Sequence, residues 1–301
     1  MVTQSFYQKF ARTLVIVVSP HPDDSVLGAG GLIYRLTDRT SWERQSDVPE
    51  EEWPAVYTIV MTSGSRGVDD EYLRRFTMKR IREDDPALGE YLLRKSEGRA
   101  DDPQREQALT KLRTEIRRQE SLAEARILRV RESFFLDLQG IYYRHTIEPQ
   151  DRKVFRDLVF SLVDRHPGWS CLFLVAHRDD MHPVHKLSTS LVVEIVENEY
   201  SWKGMCIWQY ESPWFTFSPH QVEIVIPFGG IGMATKAEAM AVHRSQEYRT
   251  KYSDVARYSA QMRAETYPEL LGGFGQSEYH WDYVEAFQEL RPVTILTVPE
   301  D

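Results

Sequence analysis

Two apolar runs of strand length, LVIVV at 14–18 and CLFLVA at 171–176, each lead straight into a cluster of His and Asp. The first ends in PHPDDS, which places His21, Asp23 and Asp24 within four residues; the second ends in HRDDMHPVH, with His177, Asp179, Asp180, His182 and His185. A β-branched run whose polar groups appear only at its C-terminal end reads as a buried strand. Two such strands lying parallel aim both clusters into one crevice at the carboxyl edge of a sheet, where open α/β sheets bind ligands. The ordinary alternative for PDDS is a helix N-cap, with Asp24 or Ser25 capping and early negative charge favouring the helix dipole. A cap accounts for one acidic residue and leaves His21 and a second carboxylate without a role.

The rest of the chain repeats this grammar. Further strands are expected at 55–62, 133–138, 204–210 and 222–227, alternating with helical patterns near 27–38, 105–129, 151–165, 184–199, 233–258 and 278–290. Such alternation predicts a Rossmann-like three-layer α/β/α fold with a largely parallel sheet and its site at the strand C-terminal ends. One domain over 1–301 is the economical reading, with a charged segment at about 69–110 that follows a strand end. That segment is either a lid over the site or a solvated insertion. GAGG at 28–31 lacks the spacing of a dinucleotide loop and reads as close helix packing.

Charge narrows the partners. With 46 acidic against 37 basic residues, no global basic field exists to hold a nucleic acid. No apolar run approaches the roughly 20 residues of a membrane span, and the start of the sequence has no signal-like apolar region, so a cytoplasmic protein is expected. A homo-oligomer is compatible with this composition. The two cysteines, Cys171 and Cys206, rule out a disulfide framework and read as buried free thiols. There is no GxSxG, hence no serine-nucleophile elbow.

A catalytic divalent ion needs about three protein ligands and one open position. His21 and Asp24 can supply two ligands from the first cluster and His185 a third from the second, with Asp23 beside them as a base. Nitrogen with carboxylate oxygen suits Zn2+, and ligand type leaves Fe2+ and Mn2+ open. Elsewhere, Ser65 and Arg66 in TSGSRG form either an anion cradle or a flexible turn. Arg117 and Glu120 have the spacing of a helical ion pair. Trp202, Trp208 and Trp214 form either a sugar-stacking wall or core. His243 reads as a packed helix histidine, and His145, His166, His220 and His280 as local hydrogen-bonding or surface residues.

SPHPDDSVLGAGGLI and MHPVH, with RRQESLAEARILRV at 117–130 and KAEAMAVHRSQ at 236–246, make the sequence similar to the PIG-L/LmbE-like family of metal-dependent N-deacetylases. The likeness runs from about Leu14 to Leu290, and YESPWFTF is nearest to a branch linked to glucosamine-6-phosphate deaminase-type proteins. The resemblance implies His21, Asp24 and His185 as zinc ligands and Asp23 as general base. It also implies His182 as oxyanion stabiliser or partner acid, and Arg117 reaching into a sugar pocket. The substrate it implies is a small-molecule N-acyl amino sugar or glycoconjugate. Two departures stand out. Val184 replaces the Asp of the family's HPDH element, so Asp180 or Asp179 is expected to take over as partner of His182. Gln139 stands near the family's sugar-contacting Asp. Competing functions are an amidase or deaminase on a phosphorylated or conjugated amino sugar, and a catalytically weak metal- or sugar-binding module.

Overall fold

The computed structural model describes residues 5–99, 101–266 and 282–291. Seven strands form one sheet: β1 (Thr13–Ser19), β2 (Ala55–Val60), β3 (Glu132–Phe135), β4 (Ser170–Ala176), β5 (Met205–Tyr210), β6 (Ile224–Phe228) and β7 (Tyr283–Leu290). Their order is β3-β2-β1-β4-β5-β7-β6. The first five in that order are mutually parallel, and β7 runs antiparallel between β5 and β6.

Strand β1 is buried along its whole length because both of its faces are covered. Side chains alternate across a strand. Accordingly, Leu14, Ile16 and Val18 enter one core with Phe155, Phe173 and Val192, while Val15 and Val17 enter the other with Leu32, Trp42 and Met240. These two cores are the two helix-covered faces of a three-layer α/β/α sandwich. β1 pairs directly with β4, Leu14 opposite Cys171 and Val17 opposite Leu174. The strand order reverses at that pair, which makes it the topological switch point where a crevice opens. Both His/Asp clusters leave the sheet there.

The helix Asp24–Thr37 follows β1 and is interrupted at Ala29, whose φ −139°, ψ 15° is not helical. At the break the amides of Gly31 and Leu32 donate to the two Glu285 carboxylate oxygens, at 2.7 and 2.8 Å. Lys236 Nζ bonds the carbonyl of Leu27 (2.9 Å) and Glu285 Oε1 (2.6 Å). A buried ion pair therefore replaces the hydrogen bonds that the kink removes. The glycines serve close approach: a Cβ on Gly28 would lie 2.1 Å from the ring of Tyr210.

Three expectations are corrected. The segment expected as a helix at 278–290 is β7 over Tyr283–Leu290; residues 278–281 lie outside the described ones. Its VEAF is buried between two strands, and that tertiary pairing overrides its helix-forming residues. The helix expected over 233–258 is broken into Gly230–Ala241, Arg244–Glu247 and Tyr252–Thr266. The chain turns at His243 because that ring is bonded to Glu124 and Ser245 is bonded to Glu120. Cys206, the second residue of β5, is exposed, whereas Cys171 is buried.

Within 69–110, the helices Met78–Asp84 and Pro86–Ser96 pack around a small core of Leu73, Ile81, Leu88 and Leu92 with Leu109 of the long helix Pro103–Ile127. Lys95 and Arg113 each bridge Asp70 and Glu106. This closed ionic network docks the segment onto the long helix. Among the described residues, no helix is long and apolar enough to cross a membrane.

Candidate metal centre

Asp23 occupies the N-cap position of Asp24–Thr37 but makes no side-chain capping bond, so neither carboxylate serves as a cap. Instead Asp24 Oδ2 accepts from the His21 backbone amide at 2.7 Å and lies 3.0 Å from His21 Nδ1. The same oxygen is 3.2 Å from His185 Nε2, and His185 Nε2 is 3.3 Å from His21 Nδ1. Three donor atoms thus form a triangle with edges of 3.0, 3.2 and 3.3 Å. Four-coordinate zinc with bonds of about 2.0–2.1 Å requires ligand atoms roughly 3.3–3.4 Å apart, so this donor set fits such an ion with little movement.

His182 stands beside the triangle. Its ring centroid lies 4.8 Å from that of His21 and 4.9 Å from that of His185, and the candidate ligand atoms of the three histidines fall within 4.8 Å of one another. The Asp24-containing set is the tighter one. His182 caps the helix Pro183–Ile195: its Nδ1 accepts from the amide of Val184 at 3.3 Å. A neutral imidazole held this way carries its proton on Nε2.

Asp180 is buried and accepts from His185 Nδ1 (2.9 Å), the His182 amide (2.7 Å) and the Ser212 hydroxyl. It therefore orients His185 and leaves Nε2 as the free lone pair, whereas the sequence suggested His182 as its partner. Asp179 is exposed. Val184 points into the core beside Leu191 and Ile195, and the backbone amide at that position, not a carboxylate, fixes the His182 ring.

The charges are tightly arranged. Burial alone would lower the pKa of His185, but Asp24 and Asp180 outweigh it and hold that ring up to about 10. Burial would raise Asp24, yet His185 and His21 keep its carboxyl well below the usual range. The cluster is thus built to hold positive charge, either a proton or a cation. Burial, reinforced by the neighbouring His21 and His185, pushes His182 down to about 4.

Behind the triangle, Asp23 Oδ1 accepts from Arg117 Nη2 at 2.5 Å, and Arg117 Nη1 reaches Glu120 at 3.3 Å. Arg117 is almost fully buried, and its Nε has no partner. Glu120 accepts both the amide and the hydroxyl of Ser245, each at 2.7 Å. In parallel, Ser25 and His243 each bond Glu124 at 2.7 Å, which makes His243 part of a buried polar network and not merely a packed ring.

The buried Tyr142 lies beside the triangle, its ring 6.2 Å from that of His21, and its hydroxyl accepts from the amide of Arg66, at the rim, at 2.7 Å. Arg66 is exposed, with its guanidinium 4.7 Å above the Tyr143 ring; Ser65 is buried beneath it. Of the other histidines, His177 stacks on Phe215 and bonds Gln288, His166 bonds the hydroxyl of Tyr57, His220 lies near Ser218, and His145 is exposed. His280 lies outside the described residues. Trp208 is core and Trp202 packs against the other core cluster, so the three tryptophans form no common wall. Trp214 alone of them reaches the centre, 5.3 Å from His182 and 5.2 Å from His185 between ring centroids. Gln139 is exposed, and so is Asp137 two residues before it, in a left-handed backbone with φ 48°. A cavity of about 370 Å³ opens on the other side of Ser212, lined by the paired Lys236–Glu285 and Glu211–Arg263, and it includes none of the clustered histidines.

Residues 16–196 match the model of the PIG-L family, described as GlcNAc-PI de-N-acetylase. A glucosamine-6-phosphate deaminase-like protein of Bacteroides thetaiotaomicron is 24% identical over 257 residues, 77% of this chain and 35% of the relative, so the chain spans about a third of the length of that curated protein. The N,N'-diacetylchitobiose deacetylase of Pyrococcus horikoshii superposes with a TM-score of 0.58 at 21% identity, covering 98% of this chain and 91% of its own. The 4-carboxy-2-hydroxymuconate hydratase of Pseudomonas putida gives a TM-score of 0.60 at 17% identity, covering 96% and 98%. These likenesses establish the fold, and since they join a deacetylase to a hydratase, chemistry has to be argued from the site.

Proposed function

Because the chain belongs to the PIG-L family, we propose that it is a metal-dependent hydrolase that removes an N-acyl group, acetyl above all, from an amino-sugar-containing small molecule or glycoconjugate. The observation that carries this reading is the compact triangle of His21 Nδ1, Asp24 Oδ2 and His185 Nε2 with Asp23 and His182 at its side. A divalent cation held there, zinc by its nitrogen and carboxylate donors with Fe2+ and Mn2+ sharing that preference, supplies Lewis-acid polarisation of the amide and a more acidic water.

Asp23 takes the proton of the attacking water, its carboxylate aimed by the bond from Arg117. Arg117 is thereby assigned to holding Asp23 and not to touching the sugar. His182 directs its Nε2–H at the developing oxyanion, the tautomer being set by the Val184 amide. The proton on Asp23 then passes to the leaving nitrogen, giving a carboxylate and a free amine. Arg66 at the rim contacts the substrate, while the buried Ser65 supports the loop that carries it.

The test is metal content and product. About one divalent ion per chain is expected, lost in His21→Ala. Asp23→Asn is expected to keep the ion while releasing acetate about 10²–10⁴-fold more slowly. An Asp23→Asn protein near wild-type rate removes Asp23 as base. Release of ammonia identifies a deaminase, and bound metal without turnover of N-acyl sugars a binding module.

A further inference from the structure

We propose that Trp214 is the saccharide-selecting residue of this centre, its exposed indole face carrying the pyranose ring of the substrate. The proposal deepens the deacetylase reading and rests on it for the identity of the site. Trp214 is 41% exposed although its ring lies against His182 and His185. It is also held firmly. Ser212 and Phe215 exchange two backbone hydrogen bonds of 3.0 and 3.1 Å around it, and its own amide donates to the Ser212 hydroxyl at 3.1 Å. Phe215 stacks flat on His177 at 3.7 Å. That same Ser212 hydroxyl bonds Asp180, the carboxylate that orients His185. The indole is therefore kept in register with the centre by a short chain of hydrogen bonds.

A rigid aromatic held in place but left open contributes little to a core and is ready to bury a flat apolar face at small entropic cost. Met181, which precedes His182 in the chain, is 79% exposed, so apolar surface is also open beside that histidine. The floor is His and Asp, and the His21 side carries Tyr142 and the Arg66 guanidinium. A pyranose has this division of surfaces, C–H groups on one face and hydroxyls around the edge. The openness of the indole favours a ring-sized group over a short acyl chain, which a closed pocket would grip.

The test compares glucosamine with glucosaminitol, its reduced open-chain form, as ligands of the metal-loaded protein, by calorimetry and tryptophan fluorescence. The wild type is expected to prefer the ring. Trp214→Ala should weaken glucosamine binding about tenfold, about 1.4 kcal/mol, with little change for glucosaminitol, and Trp214→Phe should recover part of the loss. Equal weakening of both ligands, no weakening, or no ring preference in the wild type overturns the proposal. Acetate release from N-acetylglucosamine is followed separately. Turnover with an unchanged ring preference in Trp214→Ala sinks the platform and keeps the deacetylase, whereas a Trp214-dependent preference without turnover keeps the platform and sinks the deacetylase.

Discussion

Replacing Glu285 by Ala removes one carboxylate, strands the amides of Gly31 and Leu32, and leaves the ammonium of Lys236 without its counter-charge, bonded to the Leu27 carbonyl. Each orphaned buried amide costs about 1–3 kcal/mol, and an unpaired buried charge about 3–5 kcal/mol. The three share one relaxation, so about 5 kcal/mol is expected, near the upper end for a single substitution. Lys236→Met leaves Glu285 with both amides and should cost about half as much. The double variant Lys236→Met/Glu285→Leu buries no charge but still orphans the amides, and should fall between Lys236→Met and Glu285→Ala. Urea denaturation with unchanged m-values gives the energies, and hydrogen exchange at Gly31 and Leu32 gives the local readout. A Glu285→Ala protein within about 1 kcal/mol of wild type, or a Lys236→Met protein less stable than Glu285→Ala, would refute the view that the carboxylate splices the kinked helix.

Asp180→Asn should weaken divalent-ion binding about 10–100-fold, measured by competition with a chromogenic chelator, because the group that orients His185 loses its charge; unchanged affinity would detach Asp180 from the centre. Val184→Asp restores the residue usual at that place in the family, yet here it buries a carboxylate in a position that is 1% exposed. Loss of about 3 kcal/mol or more in stability without a gain in rate is expected, and a faster, equally stable variant would show that the side chain faces His182 after all. His182→Ala should keep the ion and lose rate by about 10²-fold; loss of the ion instead would move His182 into the ligand set.

The part of the site legible in the sequence is the part made by neighbours along the chain. His21 and Asp24 meet because they lie three positions apart on a strand-to-helix turn, and β1 and β4 reveal themselves by apolar runs that both end in His and Asp. Their adjacency at the switch point follows from fold rules. Contacts between distant segments left weaker marks. RRQE at 117–120 has the spacing of an exposed ion pair, but Arg117 is buried on Asp23, ninety-four residues away. The break at His243 depends on Glu124, which no local pattern announces. Residues 283–290 contain good helix formers, and only their place between β5 and β6 makes them a strand. Trp214 is indistinguishable from Trp208 in sequence, since one lies in a strand and the other in the loop just after it. Asp137 takes a left-handed backbone that Asp tolerates better than most residues, and it had no sequence signal.

Strand β7 bears on the order in which this protein is assembled. It is seventh in sequence but sits inside the sheet, and β6 joins the sheet only through it. During synthesis, β1 to β5 can pair as soon as they emerge, whereas the open side of β5 stays an unpaired edge, and β6 stays detached, until residues beyond 282 arrive. Glu285 arrives with that strand. The helix that presents Asp24 therefore waits for β7 to dock before its break is closed, so a chain whose residues beyond 282 have not yet emerged would hold the two His/Asp motifs side by side while their geometry was still loose.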